Sequence, residues 1–263
     1  MIKKRMNIVV IGPYFPYRGG ISDTNQELCE TLYKLGHSVK VISFKLLYPS
    51  ILFPGVTQFY KDESKQKIKS KRLINSINPF NWINTARIIN DLNPELVIST
   101  YWTPFLAPCL SFVNNAINKN ILKIGIIHNA YPHEKNIFQK KLFKIYLDSI
   151  NKSVALSKNI NNEINDISNS NKRIVLFHPI PKKFGDPIEK QIAKEKIGLK
   201  KDYNYLLFFG LIRKYKGLDI LIESMCEIIK KRNNVKLLIV GENYESINKY
   251  KKLIKKNNLE NNI

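Results

Sequence analysis

The stretch Phe208-Phe209-Gly210-Leu211-Ile212-Arg213-Lys214-Tyr215-Lys216-Gly217-Leu218-Asp219 decides how this chain is read. The apolar run Tyr205 to Phe209 predicts a buried parallel strand, which Gly210 ends. Gly217 opens a segment with apolar residues at Leu218, Leu221, Ile222, Met225, Ile228 and Ile229, the spacing of one helical face. The turn between them carries Arg213 and Lys216. A helix start offers unpaired N–H groups and a positive dipole end, arginine a fork of donors and lysine a point charge. Together these suit a diphosphate. The plain alternative is a solvated basic turn of any α/β protein, and the local pattern serves both.

Working outward, the first half alternates strand and helix. Asn7–Ile11 predicts a strand, followed by a Gly/Pro/aromatic loop from Gly12 to Gly20. Ile21, Asn25, Leu28, Leu32 and Leu35 share a helical face that Gly36 ends. Further strands are expected at Val39–Phe44, Glu95–Ser99, Leu122–Ile127, Ser153–Leu156 and Arg173–Phe177, with another at Val56–Tyr60. Helices are expected near Trp82–Leu92 and Lys135–Ile150, with Thr103 and Ser157 as N-caps. Repeated βαβ units imply a doubly wound parallel sheet. The proline-rich run from His178 to Pro187 reads as a linker, dividing the chain into residues 1–180 and 181–263. Beyond it come a helix near Ile188–Ile197, the opening motif, a strand at Val235–Val240 and a helix near Ser246–Lys256. Two strands are few for a complete nucleotide-binding domain, so either the second domain is truncated, the favoured expectation, or a partner completes it.

The chain has 263 residues, 44% of them hydrophobic, and a formal net charge of +22. No apolar run approaches a membrane span, and Asn7–Ile11 is too short for a signal-peptide core, so a cytoplasmic protein is expected. The charge favours anionic partners: nucleic acid, an anionic membrane surface or phosphorylated substrates. No nucleic-acid signature accompanies it, so no specific nucleic acid is expected. The densest basic run, Lys61 to Arg72, reads as a solvated loop. Cys29, Cys109 and Cys226 are odd in number and far apart, which suits buried free thiols better than a disulfide or metal site. His133-Glu134 does not begin a zinc motif, because Ile137 stands where the second histidine belongs.

Gly19-Gly20, His128-Asn129-Ala130-Tyr131-Pro132-His133-Glu134, His178-Pro179 and the opening motif, in this order and spacing, resemble the retaining glycosyltransferases of family 4. The resemblance covers about the first 245 residues. It implies an α/β GT-B fold, here a complete N-terminal Rossmann-like domain on the acceptor side plus part of a second that binds the sugar nucleotide. It implies that Lys216 holds the donor diphosphate and that Arg213 assists. Arg213 stands two positions after Leu211, where the family more often has arginine. Gly19 and Gly20 would let backbone amides approach the donor phosphates, against the alternative of a flexible turn. His128, at a strand's carboxyl end, would bond the transferred sugar or orient the acceptor, against the alternative of a structural histidine. Tyr14, His133 and Glu134 are acceptor-side candidates, and His178 belongs to the hinge.

The implied reaction moves a sugar from a nucleoside diphosphate sugar to a hydroxyl of a saccharide or lipid-linked acceptor, in cell-surface polysaccharide or glycolipid synthesis at the inner membrane face. No cofactor or metal is expected. The family's E-x7-E pair has no counterpart in this chain, so impaired activity is expected. An inactive module that binds membranes or partners and a sugar-nucleotide epimerase are the alternatives.

Overall fold

The computed structural model describes residues 4–53, 57–60, 68–130, 137–168, 173–180, 185–244 and 246–263. The chain divides into two compact units at about residue 183. The first is built on a seven-stranded, wholly parallel sheet. Its strands are β1 (Asn7–Ile11), β2 (Ser38–Leu46), β3 (Ser70–Asn75), β4 (Leu96–Tyr101), β5 (Leu122–Ile127), β6 (Lys152–Ala155) and β7 (Arg173–Val175), ordered β3-β2-β1-β4-β5-β6-β7. The order reverses between β1 and β4, the switch point beside which doubly wound sheets bind ligands.

Alternation along the strands builds two cores. On one face Val9, Ile11, Ile42, Phe44 and Val97 pack with residues of α2 (Pro79–Asp91), α3 (Ala107–Ala116) and α4 (Ile137–Asp148). On the other, Ile8, Val10, Val41 and Ile98 pack with Cys29 of α1 (Gly20–Lys34). Helix α1 buries Ser22, Asn25 and Cys29, a stripe slightly rotated from the predicted one, and Leu35 at its end is exposed. Ser157 caps α5 (Lys158–Asn165), accepting from the Ile160 amide at 3.2 Å, as its position predicted. Thr103 precedes a short 3-10 turn and makes no side-chain cap bond. Cys29 and Cys109 are buried free thiols, with burial pushing each pKa up to about 12. Cys226 is half-buried.

Two expectations are corrected. The third strand is not at residues 57–60, the described part of the expected Val56–Tyr60, where Phe59 forms only an isolated antiparallel bridge with Tyr17. It is Ser70–Asn75, at the end of the basic run read as a solvated loop. An edge strand leaves Lys71 and Arg72 exposed, Arg72 lying over the Tyr17 and Phe59 rings, while Ile74 is fully buried.

The second unit contains α6 (Lys190–Lys196), β8 (Asn204–Phe209), α7 (Leu218–Lys231), β9 (Val235–Val240) and α8 (Asn248–Lys256). Strands β8 and β9 pair in parallel over their full length. Leu218, Ile222 and Met225 of α7 pack with Val235, Leu237, Tyr250 and Leu259, and Phe208 joins them. Strand β8 was expected to be buried on both faces, and it is not. Leu207 and Phe209, which alternate with Phe208, are 60% and 76% exposed. The two-stranded sheet is covered on one face only.

Candidate functional site

The Gly12–Gly20 loop leaves the carboxyl end of β1 and is tied down from two sides. Thr100 of β4 donates to Asn25 Oδ1 at 2.8 Å, and Asn25 Nδ2 donates to the Pro13 carbonyl at 2.9 Å, all within the protein. From the other side, the Arg18 amide donates to Gln58 O at 3.0 Å and the Tyr60 amide to Pro16 O at 2.9 Å. Arg72 lies over the rings of Phe59 and Tyr17, its Cζ 4.8 and 5.5 Å from their centroids. The loop thus ends in a fixed helix start. Gly19 and Gly20 are exposed there, and a Cβ built on either meets no protein atom within 4 Å. The space beside them is open.

Tyr14 is corrected. The side chain of this acceptor-side candidate is fully buried with Ile8, Val10 and Cys29. Burial raises its phenol pKa well above the usual tyrosine range. It is a core residue, not one presented to an acceptor. His133 and Glu134 lie outside the described residues.

His128 stands at the carboxyl end of β5, on the same edge of the sheet as Gly19 and Gly20, and its backbone amide donates to Tyr101 O at 2.9 Å. The ring is mostly buried beside His178, with centroids 5.4 Å apart. Its Nε2 is hidden from solvent and has no hydrogen-bond partner among the described residues. Burial, and then the neighbouring His178, push its pKa down to about 4. At neutral pH the ring is uncharged and offers one donor and one acceptor nitrogen. His178, read as a hinge residue, therefore touches the candidate site through this ring pair.

This arrangement predicts a pH effect. Between about pH 4 and 6.5 the unfolded chain binds a proton at this histidine that the folded chain does not, so stability rises with pH in that window. The contribution is fully present above about pH 6.5 and falls by about 2–3 kcal/mol as the pH drops to 4. Urea melts at pH 7 and 4.5 should show this loss in the wild type and much less of it in His128→Gln. Equal losses in both would refute it.

In the second unit, β8 ends at Gly210 and a 3-10 turn, Lys214–Lys216, leads to α7. Gly217 is left-handed at φ 72° and serves as the N-cap of α7 without a side chain to block the helix start. Arg213 and Lys216 are brought together by this turn, the Lys216 amide donating to Arg213 O at 2.9 Å. The Arg213 guanidinium stacks on Tyr244, with Cζ 4.8 Å from the ring centroid. Tyr244 is in turn held by its amide, which donates to Ile212 O at 3.2 Å. The sequence did not single out Tyr244. Its only signal was an aromatic residue just after the Gly241-Glu242 strand end. The turn sets two cations and free helix-start amides at the carboxyl end of a parallel sheet, an arrangement that stabilises negative charge.

Residues 189–263 match the profile of the family described as Glycosyl transferases group 1. An uncharacterized glycosyltransferase of Methanocaldococcus jannaschii is 25% identical over 97% of this chain. The match covers 64% of that protein, so the chain spans less than two thirds of the relative's length. Among solved structures, a glycosyltransferase from Rickettsia africae superposes with a TM-score of 0.70 at 20% identity, covering 99% of this chain and 68% of the other. The Anabaena protein HepE, solved with UDP and glucose, gives 0.68 at 10% identity, covering 98% and 68%.

Proposed function

We propose that this chain, whose residues 189–263 match the glycosyltransferase group 1 profile and whose fold is that of Rossmann-like GT-B structures, transfers a sugar from a nucleoside diphosphate sugar to a hydroxyl acceptor. The observation that carries the proposal is the Gly210–Gly217 turn, inside the matched segment. There Arg213 and Lys216 sit in the turn that leads directly into the start of α7, which supports reading it as a diphosphate site. HepE was solved with UDP, and the same chemistry is proposed for this turn.

In this reading, negative charge grows on the leaving diphosphate as the sugar takes on oxocarbenium character. Lys216 neutralises that charge as a point cation. Arg213, oriented by Tyr244, forks two donors onto the phosphate oxygens. The amides at the start of α7 complete a preorganised electrostatic sink. The anomeric configuration is retained and the leaving phosphate takes the acceptor proton. In the first unit, neutral His128 at the carboxyl end of β5 orients the sugar or acceptor side of the site. The open space beside Gly19 and Gly20 admits a phosphate or acceptor close to the α1 amides. The acceptor is a saccharide or lipid-linked hydroxyl in cell-surface polysaccharide or glycolipid synthesis, met at the inner membrane face.

The test is direct. The chain is titrated with UDP and ADP by calorimetry, then incubated with a panel of nucleoside diphosphate sugars while released nucleoside diphosphate is measured. Saturable binding of a nucleoside diphosphate is expected. No binding to any member of the panel would overturn the reading, and an isomerised donor without release would identify an epimerase instead.

A further inference from the structure

Helix α1 carries an amide where its apolar stripe should run. Asn25 is 1% exposed and lies on the buried face with Cys29, while Leu28 and Leu32 pack against the same core. Asparagine is a poor helix former, and a buried side-chain amide costs free energy unless its polar atoms find partners. A leucine would suit the core better. An amide at this position therefore needs a reason other than packing.

Its partners supply one. Asn25 joins a loop, a helix and a strand beside the switch point between β1 and β4. Its Nδ2 donates to the Pro13 carbonyl of the loop at 2.9 Å, and its Oδ1 accepts from Thr100 Oγ1 of β4 at 2.8 Å. The orientation is forced: a carbonyl oxygen only accepts, so the nitrogen faces Pro13 and the oxygen faces the hydroxyl. Gly12 completes the fit. A Cβ built there would lie 2.5 Å from Asn25 Nδ2 and 3.1 Å from Thr100 Oγ1, so the loop backbone lies directly against this pair. Every residue of β4 is buried, so the clamp ties the loop to an immobile part of the core.

We propose that Asn25 is a positioning residue for sugar transfer: with Thr100 it fixes the path of the Gly12–Gly20 loop and so sets where Gly19 and Gly20 stand for substrate. This rests on the function proposed above, in which those glycines admit a phosphate or acceptor. Asn25 acts through the loop backbone and touches no substrate itself.

Three variants of the full chain test this. The double variant Asn25→Leu with Thr100→Val replaces the clamp by apolar side chains of similar shape, a change that keeps global stability close to wild type. Thr100→Val breaks one bond with little change of shape, and Thr100→Ser keeps the hydroxyl. Hydrogen exchange at the Tyr17 and Arg18 amides, bonded to Tyr14 O and Gln58 O at 3.0 Å each, reads the loop, and the amides of 204–209 in the second unit are the reference. The loop amides should exchange about tenfold faster in the double variant and in Thr100→Val, the equivalent of one lost buried hydrogen bond, and near the wild-type rate in Thr100→Ser, with the reference unchanged. In the double variant kcat/KM for the acceptor should fall about tenfold while the urea midpoint stays near that of wild type. A merely structural pair would move stability and leave transfer alone. Loop amides that exchange as in wild type would overturn the inference, as would a loosened loop with wild-type kcat and acceptor KM. Should the double variant not fold, Thr100→Val against Thr100→Ser decides by the same readouts. A wild type that binds no nucleoside diphosphate would overturn the donor reading instead, and loop exchange alone would then decide whether the clamp holds the loop.

Discussion

Replacing Lys216 with alanine is expected to lower sugar transfer by about 10²–10³-fold, the usual cost of removing one preorganised partner for transition-state charge. The loss should fall mainly on kcat. The diphosphate carries less charge in the bound donor than when it is leaving, so a point cation is worth more in the transition state. Lys216→Arg should recover part of the loss, because charge without point geometry still helps. Arg213 should behave differently. Its guanidinium lies over the Tyr244 ring, so Arg213→Lys removes the fork and weakens that contact and should approach Arg213→Ala in effect. Tyr244→Ala should mimic a milder Arg213 defect, while Tyr244→Phe, which keeps the ring face, should not. Steady-state transfer with each variant checks the order. Full turnover by Lys216→Ala would remove the turn from the mechanism.

The sequence made much of this turn legible because its information is local. Gly210, Arg213, Lys216 and Gly217 lie within eight consecutive positions, and the helical face after Gly217 is written in apolar residues at helical spacing. The same holds for β1 and β5, observed with the predicted bounds, and for the Ser157 cap, whose partner lies three residues away. What stayed hidden is tertiary. Strand β3 carries Lys71 and Arg72 in a run of lysines, and only its place at the sheet edge makes a strand of them. Tyr14 reads as a loop aromatic until α1 closes over it. Tyr244 is 31 positions from the arginine it orients, and no sequence pattern joins them. Neighbouring strands buried on both faces would make β8 look as apolar as it does, and the sequence cannot say which face is left open.

The second large effect tests how that turn is aimed. Gly241, at the end of β9, packs on the backbone of Gly210, at the end of β8. A Cβ on Gly241 would lie 1.7 Å from Gly210 O and 2.7 Å from its carbonyl carbon. Neither is a flexible side chain that can swing away. Gly241→Ala must therefore separate the strand ends. That strains or breaks the bonds from Gly210 N to Val240 O and from Ile212 N to Glu242 O, each 2.9 Å. Overpacking of this kind costs about 1–3 kcal/mol and each lost bond about 1 more, giving about 3–5 kcal/mol. A unit of this size holds only about 4–11 kcal/mol in total. Gly210→Ala is the control: its Cβ would meet nothing within 4 Å, and only its φ of 119° opposes it, at about 1–3 kcal/mol. Both tryptophans lie in the first unit, so fluorescence is blind to the change, and hydrogen exchange is the proper readout. Amides of 204–209 and 235–240 should exchange much faster in Gly241→Ala than in Gly210→Ala, with the strands of the first unit unchanged. Because Ile212 N–Glu242 O is the bond that leads into Arg213, the same variant should weaken nucleoside diphosphate binding even where the unit remains folded. Unaltered exchange in Gly241→Ala, or a greater effect from Gly210→Ala, would mean that the contact between these two backbones does not hold the turn in place.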